Sequence, residues 1–312
     1  NLSHAEIRGI IVGIVLAMFL AALDQTIIAT ALPTIGRELG DVQHLPWVVT
    51  AYLLAATAVT PLYGKLSDIH GRRIVLLIGI GTFVAGSILC ALAPTMLTLV
   101  AARGLQGLGG GGLIALAQTI IADVVAPRER ARYQVYIASV FVCASLFGPV
   151  LGGLFADHLH WSFIFWINLP LGLAALMMTE RALRRLPRNE RPHRLDLAGA
   201  GLLIAATLSL LLALSWGGVR HPWLSLPIAG LFLVSALFWS LFARRLRSAP
   251  EPFIPPDILR NPVVRHGTLA ACFGMGSYIG LSIYTPIYFE AVVGLTASQS
   301  GLALTPFRFG SV

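Results

Sequence analysis

An ionisable side chain inside a long apolar segment is costly to keep there, so each one is a candidate for chemistry. Asp24 lies within Leu23-Asp24-Gln25-Thr26-Ile27-Ile28, and Arg103 lies within Arg103-Gly104-Leu105-Gln106-Gly107. Glu290 closes a later apolar block, and Arg308 falls in the last one. A carboxylate in such a place can take up and release a proton. A guanidinium beside it favours the ionised form, and withdrawal of that guanidinium lets desolvation favour the protonated one. The sequence therefore assigns proton coupling to Asp24 and Arg103, the alternative being a static pair that only fixes helix packing. Gln106, one turn from Arg103, and Thr26 and Thr30, one turn apart, add polar positions on the expected inward faces.

For Asp24 and Arg103 to meet, the elements carrying them must place both at one depth. Of the 312 residues 56% are hydrophobic and only 12% charged, with a mean hydropathy of +0.80. A soluble domain carries roughly a quarter of its residues as charges. The apolar residues fall in blocks long enough to cross a hydrocarbon core about 30 Å thick. The expected spans are 7–32, 46–64, 74–93, 95–123, 131–156, 162–180, 197–215, 225–243, 267–290 and 298–312. They are read as helices, because a lipid-facing backbone must satisfy its own hydrogen bonds. Asp24 sits eight residues before the end of the first span and Arg103 eight after the start of the fourth. At 1.5 Å per residue, both lie roughly 12 Å below one membrane surface.

The net charge of +8 does not point to nucleic acid, because the arginines sit in short loops between apolar blocks. Lys65, Arg72 and Arg73, then Arg128, Arg130 and Arg132, then the runs 181–194 and 244–265 all fall on one side. The opposite loops carry only Arg37 and Arg220. This asymmetry puts the N-terminus in the cytoplasm of a multi-pass protein of a bacterial plasma membrane. Trp47, Trp161, Trp216 and Trp223 are expected in an interfacial belt at the outer ends of spans. Cys90, Cys143 and Cys272 lie in apolar blocks without a paired framework and read as buried free thiols. The first block carries Asp24 and lacks a cleavage site, so it reads as a retained span.

Other patterns concern packing and movement. The loop Gly64-Lys65-Leu66-Ser67-Asp68-Ile69-His70-Gly71-Arg72-Arg73 places two glycines around an acid and two bases. It is expected to reverse the chain at both glycines and to act as a conformational latch through Asp68, Arg72 and Arg73. Gly148-Pro149-Val150-Leu151-Gly152-Gly153 predicts a kinked, closely packed fifth span. The run 107–112 matches GxGxxG, but in a membrane span it reads as close helix approach and not as a nucleotide site. Asp157, His158 and His160 read as a solvated turn, and no metal or other cofactor is expected. No nucleophile, base and orienter recur together, which argues against an enzyme. Tyr284 and Glu290, with Thr26, Thr30 and Gln106, are the candidate lining of a substrate cavity.

These motifs together resemble the major facilitator superfamily, and within it the fourteen-span drug:proton antiporters. Gly64-x-Leu66-Ser67-Asp68-x-x-Gly71-Arg72-Arg73 is similar to that superfamily's signature loop. Leu23-Asp24-x-Thr26-Ile27-Ile28-x-x-Ala31-Leu32-Pro33 resembles the first-span motif of this branch. Arg103-Gly104-x-Gln106-Gly107 resembles the fourth-span motif associated with proton coupling, and Gly148-Pro149-x-x-Gly152-Gly153 the fifth-span antiporter motif. The resemblance departs at Ala144, where the longer fifth-span motif often has Gly. It implies an all-α polytopic membrane protein with two six-helix bundles and alternating access. Residues 1–180 would form the N-terminal bundle, 181–266 a linker region with two extra spans, and 267–312 the start of the C-terminal bundle. On that plan further spans are expected beyond Val312, so the chain reads as truncated. The implied function is export of small lipophilic or cationic molecules in exchange for protons, with the proton gradient as energy source. The partners are then the small-molecule substrate, protons and the lipid bilayer. A dedicated single-metabolite carrier and a non-transporting membrane sensor or scaffold are the alternatives.

Overall fold

The computed structural model describes residues 4–125, 129–184, 196–252, 254 and 256–294. Regular structure among them is helical, apart from one isolated bridge between Gly217 and His221. Eight helical stretches among the described residues are long and apolar enough to cross a membrane. The helices are α1 (His4–Leu39), α2 (Leu45–His70), α3 (Arg72–Ala91), α4 (Met96–Val124), α5 (Arg130–His158), α6 (Phe163–Trp166), α7 (Asn168–Leu183), α8 (Leu197–Trp216), α9 (Leu226–Ser248), α10 (Pro256–Arg260) and α11 (Pro262–Ala291). The eight membrane-capable stretches cover the first eight expected spans, α11 covers the ninth as a helix, and the tenth, 298–312, lies outside the described residues with Arg308. The chain divides into two compact units, residues 1–253 and 254–312. In the second, α10 leads directly into the long α11, whose start is capped by Asn261 accepting from the Val263 amide at 2.9 Å.

Within the first unit α4 is central, packed between α2 and α3, while α1 packs on α5 and α7. Thr95 caps α4 by accepting from the Thr98 amide, and the Thr98 side chain returns a bond to the Thr95 amide. The small residues of 107–112 let α2 and α3 come onto α4 from two sides. A Cβ at Gly107 or Gly111 would fall on the backbone of α2 at Tyr52 or Ala56, and one at Gly109 on the backbone of α3 at Phe83. Contact at that distance lets side chains reach backbone carbonyls. Thr60 donates to the Gly111 carbonyl at 2.8 Å and Tyr63 to the Leu108 carbonyl at 2.8 Å. In lipid, where apolar surface supplies little drive between helices, such packing and bonding hold a bundle together. The same logic joins α1 to α5: a Cβ at Gly148 or Gly152 would strike the hydroxyls of Thr26 or Thr30.

Several expectations are corrected. The sixth span is not one helix: α6 ends at Trp166, Ile167 is a turn, and α7 begins at Asn168. Pro170 has no N–H to offer the Trp166 carbonyl, so a continuous helix lacks that bond, whereas in the first turn of a new helix nothing is lost. Gly64 does not take part in a reversal, because it lies inside α2. Gly71 alone makes the turn, with φ of +90° between α2 and α3. Gly153 meets no neighbouring atom, so close packing on α5 rests on Gly148 and Gly152. Trp161 is buried within the protein against Phe165. Trp47 and Trp216 do meet, edge to face at 5.9 Å. Of the cysteines only Cys90 is buried, while Cys143 and Cys272 lie on outer helix faces.

Helices α8 and α9 form a pair, and α8 also touches α2. Midway along, Ser235 donates to the Ala206 carbonyl at 3.1 Å. At one end Asp196 caps α8 through the Gly199 amide at 3.0 Å and receives Arg245 of α9 at 3.1 Å. Burial pushes the Asp196 carboxyl up, but the bonds from Arg245 and Gly199 outweigh it and leave the group below its ordinary 3.8.

Two outcomes follow from this packing. Gly111→Ala is expected to lower stability by about 1–3 kcal/mol, because α2 must shift to admit the methyl group. Gly104→Ala, which meets open space, is expected to be neutral, and thermal unfolding in detergent compares them. The Asp196 tie is fully present above pH 3.8 and is lost as the pH falls through its lowered folded value. The exchange protection of the Gly199 amide in the first turn of α8 is expected to fall there, and to be low at every pH in Asp196→Ala, which has no accepting oxygen.

Candidate functional site

Asp24, midway along α1, and Arg103, two turns into α4, do meet. Arg103 Nη1 donates to Asp24 Oδ2 at 2.6 Å, with both side chains 1% exposed. The equal depth computed from helix rise is thus matched by direct contact. A buried ion pair is tolerable only when its remaining polar atoms are also satisfied, and the surrounding helices supply those bonds. Gln106 Nε2 donates to Asp24 Oδ1 at 2.8 Å, and Asn168 Nδ2 donates to the same oxygen at 3.1 Å. Arg103 also donates from Nη1 to Gln106 Oε1 at 2.7 Å and from Nε to the Val48 carbonyl at 3.0 Å. Its guanidinium lies 4.4 Å from the centre of the Tyr52 ring and 5.8 Å from that of Phe165. Those aromatic faces stabilise the cation where water cannot.

A further layer comes from α3. Ser87 accepts from Gln106 at 3.1 Å and from Asn168 at 2.8 Å, and donates to the Phe165 carbonyl at 3.2 Å. That carbonyl belongs to α6, whose helix ends at the next residue. Cys90, one turn along α3, approaches Gln106 Oε1 at 3.5 Å. Six elements therefore converge on one carboxylate: α1, α2, α3, α4, α6 and α7. Asn168 and Ser87 escaped the sequence reading because neither lies within a turn of a charged residue in the chain. Asn168 does carry a signal, being a lone amide two residues before a proline within an apolar block.

The other expected substrate-facing residues are placed differently. Gln106 is fully buried in the charged cluster and not on an open wall. Thr26 donates to the Ala144 carbonyl of α5 at 2.8 Å. Thr30 is exposed and bonds to its own helix at the Ile27 carbonyl, 3.1 Å away. Tyr284 and Glu290 lie in α11, and their side chains are outside the described residues. A cavity of about 520 Å³ lies elsewhere, against Val59, Tyr63, Ile74, Val75, Ile78 and Leu108, and takes no part in the charged cluster.

The loop residues form a second polar centre at one end of the bundle. Arg72, the first residue of α3, binds Asp68 of α2 at 2.6 Å and Asp123 of α4 at 2.9 Å, and also meets Ser67. Arg73 forms a two-point pair with Glu180 of α7, one bond measuring 2.8 Å. Arg130 of α5 donates to the Ala122 carbonyl at 2.7 Å, near the C-terminus of α4. Asp68, Arg72 and Arg73 were expected to interact. Asp123 and Glu180 were not singled out, because acids near span ends look like ordinary solvated charges. Adjacent arginines at the start of one helix thus tie α3 to α2, α4 and α7.

Residues 14–312 match the Major Facilitator Superfamily, and the chain belongs to that superfamily. It is 37% identical over 303 residues to the multidrug transporter protein MdtP of Bacillus subtilis, covering 97% of this chain and 56% of that protein. It is 36% identical over 309 residues to multidrug resistance protein 3 of the same organism, covering 99% of this chain and 60% of the relative. Efflux pump FUS6 of Gibberella fujikuroi is 38% identical over 309 residues, with 95% of this chain and 55% of that protein covered. The chain thus spans between 55% and 60% of the length of these relatives. Among solved structures, the human organic anion transporter MFSD10 matches with a TM-score of 0.55 at 20% identity, covering 72% of this chain and 59% of that one, which bears on the fold alone.

The charged cluster sets a stability test. Arg103→Leu is expected to cost about 3–5 kcal/mol, because it leaves the Asp24 carboxylate buried without its cation. Adding Asp24→Asn is expected to recover part of that loss. Denaturation of the two single variants and the double variant in detergent measures the coupling.

Proposed function

We propose that the protein is a secondary active transporter that exports small lipophilic or cationic molecules in exchange for protons by alternating access. The observation that carries this reading is the Asp24–Arg103 pair, fully buried among membrane-spanning helices and joined by hydrogen bonds to four other elements. A static packing pair would need the same partners, so the weight of the reading lies in the placement. An ionisable pair inside a membrane-spanning bundle is costly and marks a functional site. A carboxylate that gains and loses a proton needs a cation that releases it and dipoles that serve both charge states. The relatives named as multidrug transporter and efflux pump support export of small molecules. Two spans following a six-span bundle support the fourteen-span branch. The chain's share of its relatives' length supports its being part of a longer protein.

On this reading Asp24 loads a proton from outside, its hold on Arg103 loosens, and the helices around it are free to change packing. Arg72 and Arg73, with Asp68, Asp123 and Glu180, act as the latch that favours one arrangement until the cluster above releases. Gly71 gives that latch its short turn. Gly148 and Gly152, with Pro149 in the same helix, let α1 slide on α5 where Thr26 and Thr30 lie. We place the N-terminus in the cytoplasm, with the arginine-rich loops on the same side of a bacterial plasma membrane. No cofactor is called for, since the proton gradient supplies the energy.

The test is gradient-driven efflux of a lipophilic dye from vesicles carrying the full chain, wild type against Asp24→Asn. Efflux that requires the gradient and falls at least about tenfold in the variant, at equal expression, is the expected result. Equal efflux in both would assign Asp24 to packing. Absence of dye transport by the wild type would favour a narrow metabolite carrier or a sensor.

A further inference from the structure

The two amides that bond Asp24 Oδ1 are not equivalent. Gln106 cannot turn over, because its Oε1 accepts from Arg103 at 2.7 Å and receives Cys90 at 3.5 Å. Rotating it would aim its NH₂ at the guanidinium, donor against donor. Asn168 has no such constraint. Its Nδ2 serves Asp24 Oδ1 and Ser87 Oγ, while its Oδ1 is fully buried without a partner among the described residues. A buried carbonyl oxygen left unbonded costs on the order of 1–3 kcal/mol. Such a residue is held in place only while its NH₂ has something to donate to.

We propose that Asn168 is the positioning residue that reads the protonation state of Asp24, by turning its amide over when Oδ1 of that carboxyl takes up a proton. With Asp24 ionised, Oδ1 accepts from both amides and Oδ2 from Arg103. When a proton from a hydronium ion bonds to Oδ1, that oxygen becomes a donor and faces the Asn168 NH₂, which is also a donor. A half-turn of the amide puts Asn168 Oδ1 in the place of Nδ2, where it accepts the new O–H. The Ser87 hydroxyl, now facing the same oxygen, swings its hydrogen from the Phe165 carbonyl to Asn168. Arg103 still reaches Oδ2, Gln106 Oε1 and the Val48 carbonyl, but Oδ2 now belongs to a neutral carboxyl and holds the guanidinium more weakly. The covalent change is one proton transfer: an O–H of a hydronium ion breaks, releasing water, and an O–H forms at Asp24 Oδ1.

The consequence reaches the backbone, because Phe165 and Asn168 flank the break at Ile167. Protonation then removes the Ser87 bond to α6 and reverses the one to α7, at the single turn where the sixth span is not held by its own ladder. The ionisable groups facing Asp24 are Tyr52 from α2, Cys90 from α3 and Arg103 from α4. Helices α5, α6 and α7 bring none to it among the described residues. The hydrogen bonds by which the sixth span senses Asp24 therefore run through Asn168 and Ser87, beside the contact of the Phe165 ring with Arg103.

This inference rests on the reading of Asp24 as the proton carrier, and infrared difference spectroscopy of the full chain in liposomes separates the two. Acidification of the wild type is expected to raise a protonated-carboxyl band that is absent in Asp24→Asn. In Asn168→Leu, close in volume and without polar atoms, that band is expected at higher frequency, since the O–H loses its acceptor. In Asn168→Asp, isosteric and able to accept but burdened with like charge, the midpoint of the band is expected to move up by about one pH unit or more, a tenfold tighter hold on the proton. A wild-type band that neither variant moves overturns the role of Asn168 and leaves Asp24 as carrier. No titrating band from Asp24 in the wild type overturns both. Should Asn168→Leu not fold, the Asn168→Asp midpoint decides alone.

Discussion

An ionised carboxylate and a guanidinium cannot be kept away from water unless their surroundings do water's work. Asp24 and Arg103 are both almost wholly buried, and their mutual attraction does not by itself offset the loss of two hydration shells. Every remaining lone pair and N–H must find a partner within a few ångströms. That demand brings Gln106, Asn168, Ser87, Val48 and Tyr52 to one level of the bundle, from helices far apart in the chain. It also sets how close those helices must come.

The small-residue surfaces serve that demand. Arg103 can reach the Val48 carbonyl of α2, and Gln106 the Ser87 hydroxyl of α3, only if α4 is flanked tightly on both sides. At Gly107 and Gly111 the backbone of α2 occupies the space a side chain would need, and at Gly109 the backbone of α3 does. Helix α7 is brought in differently. The break before Asn168 starts a helix at the depth of Asp24, so its first residue can turn an amide toward the carboxylate. One proline thus has a local effect on the backbone ladder and a distant one on the charged cluster.

The second polar centre, at the end of the bundle where α3 begins, obeys the opposite rule. Asp68 and Asp123 are about half exposed, so their pairs with Arg72 exchange readily with water. Pairs of that kind contribute little to stability on average. Such contacts form and break easily, whereas the buried cluster holds its partners without exchange with water. The two centres share four helices: α2 carries Val48 and Asp68, α3 Ser87 and Arg73, α4 Arg103 and Asp123, and α7 Asn168 and Glu180.

Much of this was legible in the sequence. The lengths of the apolar blocks dictated membrane-spanning helices, because a bilayer admits few other solutions. Counting residues from span ends put Asp24 and Arg103 at one depth, since the rise per residue of a helix is constant. The spacing of Gly148 and Gly152 marked a close contact before its partner was known. What the sequence could not supply is which faces meet. Nothing local distinguishes Gly64, inside α2, from Gly71, which turns the chain, until the φ of each is known. The uncharged Ser87 and Asn168 become part of the site only because folding brings them within hydrogen-bond reach of Asp24. Asp123 and Glu180 look like any charges at span ends until Arg72 and Arg73 are seen to bind them. Depth is a one-dimensional quantity that a chain of helices encodes directly. The rotation of each helix about its axis follows from packing against all its neighbours at once, and only the tertiary structure decides it.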